Sequence, residues 1–456
     1  MTKPQPGLWA RMTDNRPGLD YLMLRIIVLV IVAIGLLMAF SASFASSWVD
    51  TLDDKGNVIE TTSVWYHANH QVKVVLAGLL AGWVALKTPP RVVRSLSWVF
   101  VGAALLGLVL VLTPLGTGAS EVGSQSWIYV GPISIQPSEV ARVAIAIFGA
   151  AMLADQTFSA RRLRTAQAWL SDPFVIYIMV SFLFFGLIIA QGDVGMGASF
   201  ALVVVLTLFF AGMDIRMFVM AAVAAGVAGF ILFTGGGYRT HRFHTYFDAL
   251  VGNIQDTQGS GFQTYQGFLS LADGGLTGVG LGQSRAKWFY LPEARNDFIF
   301  AIVGEELGLW GAGLVVVLFG LLGFFGIRTA LRAQDQFQAL MAAALTAGVV
   351  SQAFVNIGYV IGLLPVTGIQ LPMISAGGSA AIVTIGAMGL VANVARHEPE
   401  QVSAIRNYGR PLFDRLLLIQ EPEPKVRERR RRRAPERRPV PDFTRERQAV
   451  TQRYRR

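Results

Sequence analysis

Residues 297–326 read DFIFAIVGEELGLWGAGLVVVLFGLLGFFG. After the leading aspartate only Glu305 and Glu306 are charged, over a stretch longer than the ~20 residues that cross a ~30 Å hydrocarbon core. Similar apolar runs fall near 24–46, 70–87, 95–113, 139–153, 173–191, 196–212, 216–234, 338–362 and 379–396. Together they predict an all-α integral membrane protein of about ten transmembrane helices. Composition agrees: 53% of the 456 residues are hydrophobic, 15% are charged and mean hydropathy is +0.48, too apolar for a chain that must cover itself with polar groups. Cysteine is absent, which excludes disulfides, thiolate metal sites and thiol redox chemistry.

The net charge of +10 is concentrated at one end, because residues 397–456 hold 17 Lys and Arg against 9 Asp and Glu. That location argues against nucleic acid as a partner. From Glu421 onward the chain is rich in Pro, Arg and Glu, with Arg429 to Arg433 consecutive, so it is expected to be disordered. Such a tail suits anionic lipid or, alternatively, a protein partner.

Short-loop cations set the orientation. Lys87, Arg91 and Arg94, then Arg161, Arg162 and Arg164, then Arg328 and Arg332 should share the cytoplasmic side, with both termini. The expected organisation is a cytoplasmic segment 1–23, a transmembrane domain 24–397 and a basic, largely disordered cytoplasmic tail 398–456. Residues 235–297, between the seventh and eighth helices, form a large extracytoplasmic loop carrying Arg239, Arg242, Arg285, Lys287 and Arg295. Either its length exempts it from the charge rule, or these cations hold an anionic substrate. Between the ninth and tenth helices, Gly362 to Ser379 contains Pro365, Pro372 and four glycines. Backbone so interrupted must be buried in protein or line a wet cavity, which predicts a re-entrant segment.

Several polar positions have both a structural and a functional reading. Asp297 suits a helix N-cap, and a carboxylate beside Phe298 and Ile299 also suits a general base, its affinity for protons raised by the apolar surroundings. Glu305 and Glu306 lie ~12–14 Å further along the helix, too far to form a dyad with it, and read as structural anchors. Gln136 followed by Pro137 reads as a helix start, with Ser138 next to it and Glu139 paired to Arg142. Gln191 and Asp193 suit a turn or cap. The glycines 278, 280 and 282 lack the strand–turn–helix context of a nucleotide site, and the pairs His67 with His70 and His241 with His244 lack a metal motif.

The blocks from Trp127 to Glu139, Gln191-Gly-Asp193-Val-Gly195, Gly261-Phe-Gln263 through Ser284, Lys287 with Leu291-Pro-Glu293, Asp297-Phe-Ile-Phe, and Pro365 to Gly378 resemble, in that order, the SEDS family. These are the shape, elongation, division and sporulation proteins of the FtsW, RodA and SpoVE type, and the likeness spans about residues 20–397. It is greatest to the cell-division, FtsW-type branch. The chain departs from the family pattern at Ser126, Arg295-Asn296 and Ala376, losing a cation at 126 and gaining one at 295.

The resemblance implies a peptidoglycan glycosyltransferase that polymerises lipid II, releases undecaprenyl diphosphate and works at the division septum of the inner (plasma) membrane. Asp297 then matches the family's essential acid, and Lys287 and Arg242 match basic positions suited to the diphosphate. Glu293, Gln191, Asp193, Trp127, Gln136, Ser138, Glu139 and Ser375 complete the expected substrate site. No cofactor is required by these residues, although a divalent ion, magnesium or manganese, is compatible with a diphosphate. Expected partners are a class B penicillin-binding transpeptidase of the FtsI type and, through the tail, other division proteins. A lipid II flippase and a division scaffold are the rival readings.

Overall fold

In lipid an apolar segment can satisfy its backbone only within a helix or a closed barrel, and the chain takes the helical course. The computed structural model describes residues 17–47, 50–52, 58–61, 65–118, 124–131, 133–157, 165–219 and 261–422. It opens with α1 (Leu19–Ser47), the hairpin β1 (Asp50–Leu52) and β2 (Val58–Thr61), α2 (Tyr66–Lys87), α3 (Pro90–Ser95) and α4 (Ser97–Val111). An antiparallel ribbon of β3 (Gly116–Thr117), β4 (Trp127–Val130) and β5 (Ile133–Ile135) leads into α5 (Pro137–Leu153), α6 (Ala166–Ser171), α7 (Pro173–Ala190) and α8 (Val194–Phe210). After α9 (Phe262–Gly274) and a π-turn at Ala286–Tyr290 come α10 (Ile299–Arg332), α11 (Gln336–Val360), α12 (Gly378–Arg396), α13 (Pro399–Tyr408) and α14 (Leu412–Leu416).

Among the described residues α1, α2, α7, α10, α11 and α12 are long and apolar enough to cross a membrane, while α4 and α8 are shorter apolar helices. The expected run 216–234 lies outside the described residues from 220 onward. α2 packs along α12, and α10 along α1, α9 and α11. A methyl group at Gly389 would stand 2.6 Å from the Gly82 carbonyl oxygen. The two backbones therefore touch, the close packing that helices need where lipid gives no hydrophobic drive between them.

One set of helix ends gathers the buried charges. Asp20 pairs with Arg328 at 3.2 Å and Arg332 at 3.4 Å, and Arg332 also reaches Glu398 and Glu400. Asn393 donates to the carbonyls of Ala85 and Thr88, both at 2.7 Å, and the Arg94 guanidinium lies over the Phe337 ring. Lys87, Arg94, Arg328 and Arg332 thus share one end of the bundle, whereas Arg161, Arg162 and Arg164 lie outside the described residues. Two boundaries differ from expectation. α1 starts at Leu19, because burying Asp20 against two arginines extends the helix, and the folded unit runs to Pro422, because α13 and α14 pack back onto the bundle.

Burial pushes the Glu398 carboxyl up to about 8, helped by the Asp20 charge and opposed by Arg332 and Arg328. An acid raised in the fold stabilises it most at low pH, where the unfolded chain is also protonated, and that stabilisation declines until the folded group ionises. Melting temperature should therefore fall as pH rises from about 4.5 and level off above about 8, and Glu398→Gln should flatten that slope.

α10 is interrupted at Gly308, where φ is +66° and ψ is −165°. The break frees backbone groups that the 275–280 loop takes up. Val279 and Gly280 donate to the carbonyls of Glu305 and Glu306, while Leu309 and Trp310 donate to those of Gly275 and Leu276. The glycine repeat thus serves as a backbone splice, in which a methyl group at Gly278 would meet the Glu306 carbonyl oxygen at 2.2 Å.

Candidate active site

Asp297 precedes α10, but it does not occupy the N-cap. That position falls on Phe298, which makes no side-chain capping bond. Asp297 instead belongs to a tight turn that begins at Glu293, in the left-handed region at φ +53°. The Asn296 and Phe298 amides both donate to the Glu293 carbonyl, and Asn296 Nδ2 donates to Glu293 Oε2 at 2.6 Å.

Three successive carbonyls of this turn are pinned from outside it. Arg295 O accepts from the Ala376 amide at 2.9 Å, and Asn296 O accepts from Ser375 Oγ at 2.7 Å. Asp297 O accepts from Asn356 Nδ2 and Tyr359 Oη, both at 2.8 Å. Asn356 and Tyr359 lie on α11, while Ser375 and Ala376 belong to the non-helical stretch between α11 and α12. The peptide planes on either side of the Asp297 Cα are therefore held, and its half-buried side chain leaves a rigid base beside Gly368, where an added methyl group would stand 3.4 Å from Oδ2.

The stretch 362–377 is non-helical, exposed at Leu363 and Leu364 but deeply packed from residue 369 on, with Ile369, Leu371, Met373, Ile374 and Ser375 all buried. Two of its carbonyls accept from side chains: Gln352 donates to Gln370 O and Asn356 to Ile369 O, with the single Tyr359 hydroxyl proton shared between Ile369 O and Asp297 O. Buried irregular backbone of this kind persists only with such partners. In the same stretch, the Thr367 hydroxyl and the Gln370 side-chain oxygen are buried without a hydrogen bond among the described residues.

A second cluster meets the same stretch. Asp193 caps α8 through the Met196 amide at 2.9 Å and accepts from Gln136 Nε2 at 3.1 Å. Burial pushes its carboxyl up, while those two hydrogen bonds pull the other way. Gln136 N donates to Ser379 Oγ, and a methyl group at Gly195 would meet the Thr367 carbonyl oxygen at 2.1 Å. Glu139 and Arg142 form a buried pair at 2.6 Å, with Arg142 also donating to Ser199. Ser138 is buried in the first turn of α5, Gln191 donates to Leu108 O, and Trp127 is half-buried on β4. The structure thus joins Asp297, Glu293 and Ser375 in one group and Gln136 and Asp193 in another, with residues 367–379 between them.

Lys287 stands elsewhere. Its side chain is 2% exposed and pairs with Glu306, itself 0% exposed, at 3.2 Å. The ammonium also donates to Gly282 O and to Ser41 Oγ on α1, so its three protons each have a protein acceptor. Glu305 accepts from Ser284 Oγ and the Arg285 amide. Both glutamates therefore anchor the loop, as the spacing suggested. Arg242 lies outside the described residues. Two positions before Asp297 in the chain is Arg295, half-buried, the proton affinity of its guanidinium lowered by desolvation against the charge of Glu293 and within electrostatic reach of His67. Among the described residues no three His, Asp or Glu side chains gather as a metal site, and a single carboxylate at Asp297 is too few oxygen donors to hold a divalent ion.

Sequence reasoning passed over Asn356, Tyr359 and Gln71, the last donating to Ser375 O at 3.5 Å. Gln352, Asn356 and Tyr359 recur at helical spacing in an apolar run, and that polar stripe was the available signal. Ser375→Ala removes the hydroxyl that holds Asn296 O and should loosen the 293–298 turn by about 1 kcal/mol without unfolding the bundle; faster hydrogen exchange at the Asn296 and Phe298 amides with an unchanged melting temperature would check it.

The fold and the pinned acid define a multi-pass membrane protein with a rigid carboxylate at the end of its bundle opposite the Asp20 cluster. The cell cycle protein family of FtsW, RodA and SpoVE matches residues 21–400, and the chain belongs to that family. It is 40% identical over 418 residues to a probable peptidoglycan glycosyltransferase FtsW of Mycobacterium tuberculosis, covering 92% of this chain and 75% of the relative. It is 37% identical over 387 residues to the stage V sporulation protein E of Bacillus subtilis, covering 85% and 99%. The fold resembles a chain of a peptidoglycan synthase complex that coordinates polymerisation and crosslinking, with TM-score 0.62, 23% identity and coverage of 82% and 97%. It also resembles the rod shape determining protein RodA of Thermus thermophilus, with TM-score 0.56, 24% identity and coverage of 82% and 96%.

Proposed function

We propose that this chain is a peptidoglycan glycosyltransferase that polymerises lipid II at the outer face of the cytoplasmic membrane, during septal wall synthesis. The FtsW relatives bear that activity in their names, and the observation that carries the reading here is the fixation of three successive carbonyls around Asp297. A base for a sugar hydroxyl needs a held carboxylate more than it needs a metal. Asp297 takes the proton from the acceptor 4-hydroxyl as that oxygen bonds to the anomeric carbon of the donor. The bond from that carbon to the diphosphate breaks, and undecaprenyl diphosphate leaves with the electron pair.

Developing charge on the leaving diphosphate calls for cations. Arg295, one residue from the turn's centre, serves this end, with Arg242 of the 235–297 loop as the expected second cation. Lys287 is committed to Glu306 and acts by holding the loop. Thr367 and Gln370, within residues 367–379, and Gln136 and Asp193, on the far side of that stretch, line the approach. The organisation proposed is ten spans with both termini inside, so that the end bearing Asp297 faces out. A class B penicillin-binding transpeptidase is the proposed partner, in keeping with the fold shared with the synthase complex chain.

The test reconstitutes the purified chain with its transpeptidase partner in vesicles containing labelled lipid II and follows glycan product and lipid translocation separately. Polymer formed in step with consumption of outward-facing lipid supports the proposal. Translocation without polymer would establish the flippase instead, and neither activity would leave a scaffold.

A further inference from the structure

Residues 409–419 fold back beside the first turns of α1 and the last turn of α2, rather than extending beyond them. Trp83 Nε1, on α2, donates to Leu417 O at 2.9 Å. The Arg25 guanidinium, six residues into α1, lies 4.1 Å from the centre of the Phe413 ring. Asp414 is fully buried, accepting from Tyr21 Oη and Arg396 Nε, both at 2.7 Å. The element is thus clamped to three helices at the depth of their terminal turns. Lys87 stacks on Trp83 at 4.3 Å, and an aromatic ring with a terminal lysine is the pairing that membrane–water interfaces favour.

On the side away from that clamp, Leu412, Leu416 and Leu418 are 75%, 73% and 73% exposed. Large apolar side chains so exposed beside a folded clamp mark a surface that something covers. Leu76, Leu80 and Val84 form an exposed stripe at four-residue spacing on α2, the helix whose last turn holds this element through Trp83. Arg415 is exposed within the element, and Arg406 is exposed on α13, the helix just before it. Apolar side chains with flanking arginines at the depth of an interface are the composition of a segment lying in the plane of a charged leaflet.

We infer that residues 409–419 form an interfacial anchor. Leu412, Leu416 and Leu418 enter the boundary between acyl chains and headgroups, and Arg406 and Arg415 contact lipid phosphates.

Because the chain contains no cysteine, a single thiol can be introduced without background. Leu416→Cys, carrying an NBD fluorophore in nanodiscs of equal parts phosphatidylglycerol and phosphatidylcholine, should emit blue-shifted light relative to Asn407→Cys. It should be quenched by shallow nitroxide lipids and protected from iodide. Nanodiscs of phosphatidylcholine alone, or the added substitutions Arg406→Gln and Arg415→Gln, should shift the emission part of the way back to the red. Water-like emission with full iodide quenching in both lipids would overturn the proposal and point to a protein as the missing cover. A blue shift that persists in detergent without quenching by nitroxide lipids would overturn it equally, by placing the probe inside the protein.

Discussion

Asp297→Asn should lower lipid II polymerisation by roughly two to four orders of magnitude, the range that a positioned general base contributes, and leave the melting temperature unchanged. Asparagine is isosteric and keeps the backbone carbonyl that Asn356 and Tyr359 hold, so the turn loses only a proton acceptor. Asp297→Glu tests position separately from charge. It restores a carboxylate but moves it by one methylene against a segment whose nearest backbone leaves about a methyl group's room, so activity should recover only in part. Undiminished polymer from Asp297→Asn would remove this residue from the chemistry.

The second large effect is expected at Lys287, and it is one of assembly. Lys287→Met leaves Glu306 as a buried charge without its counterion, which costs about 3–5 kcal/mol where a buried pair loses one partner. The variant should fold poorly in detergent and lose activity with the fold. Adding Glu306→Leu removes the orphaned charge, and since an apolar pair can replace a buried ion pair at little cost, the double variant should regain most of its thermal stability and much of its activity. A lysine that gripped diphosphate would give the opposite pattern: a raised KM for lipid II in a well-folded protein, with no rescue from Glu306→Leu. Melting curves and KM for the three variants decide between them.

For the same lysine, sequence and structure offer different readings. A basic residue in an outer loop rich in cations suggested an anion ligand, and nothing in residues 282–291 announced that Glu306 and Ser41 would surround its ammonium. Those partners come from α10 and α1, 19 and 246 positions away. Glu305 and Glu306 were assigned as anchors correctly because charge inside an apolar run has few affordable alternatives. The glycines 278 to 282 lack a nucleotide-binding context, but their splice into the break at Gly308 exists only in the folded chain.

Composition and hydropathy alone determined that this chain belongs in a membrane and that its backbone is helical, because an unsatisfied peptide group in lipid is too costly for other solutions. They also marked the broken stretch after α11 and the acid before α10, since Pro, Gly and charge stand out against an apolar background. Tertiary structure decided how three carbonyls fix the Asp297 turn, how the Lys287 ammonium meets Glu306 and Ser41 and how the chain after His397 returns to the bundle. Each of those depends on hydrogen bonds between residues tens to hundreds of positions apart, whose directions follow from helix packing and leave no periodic trace in the sequence.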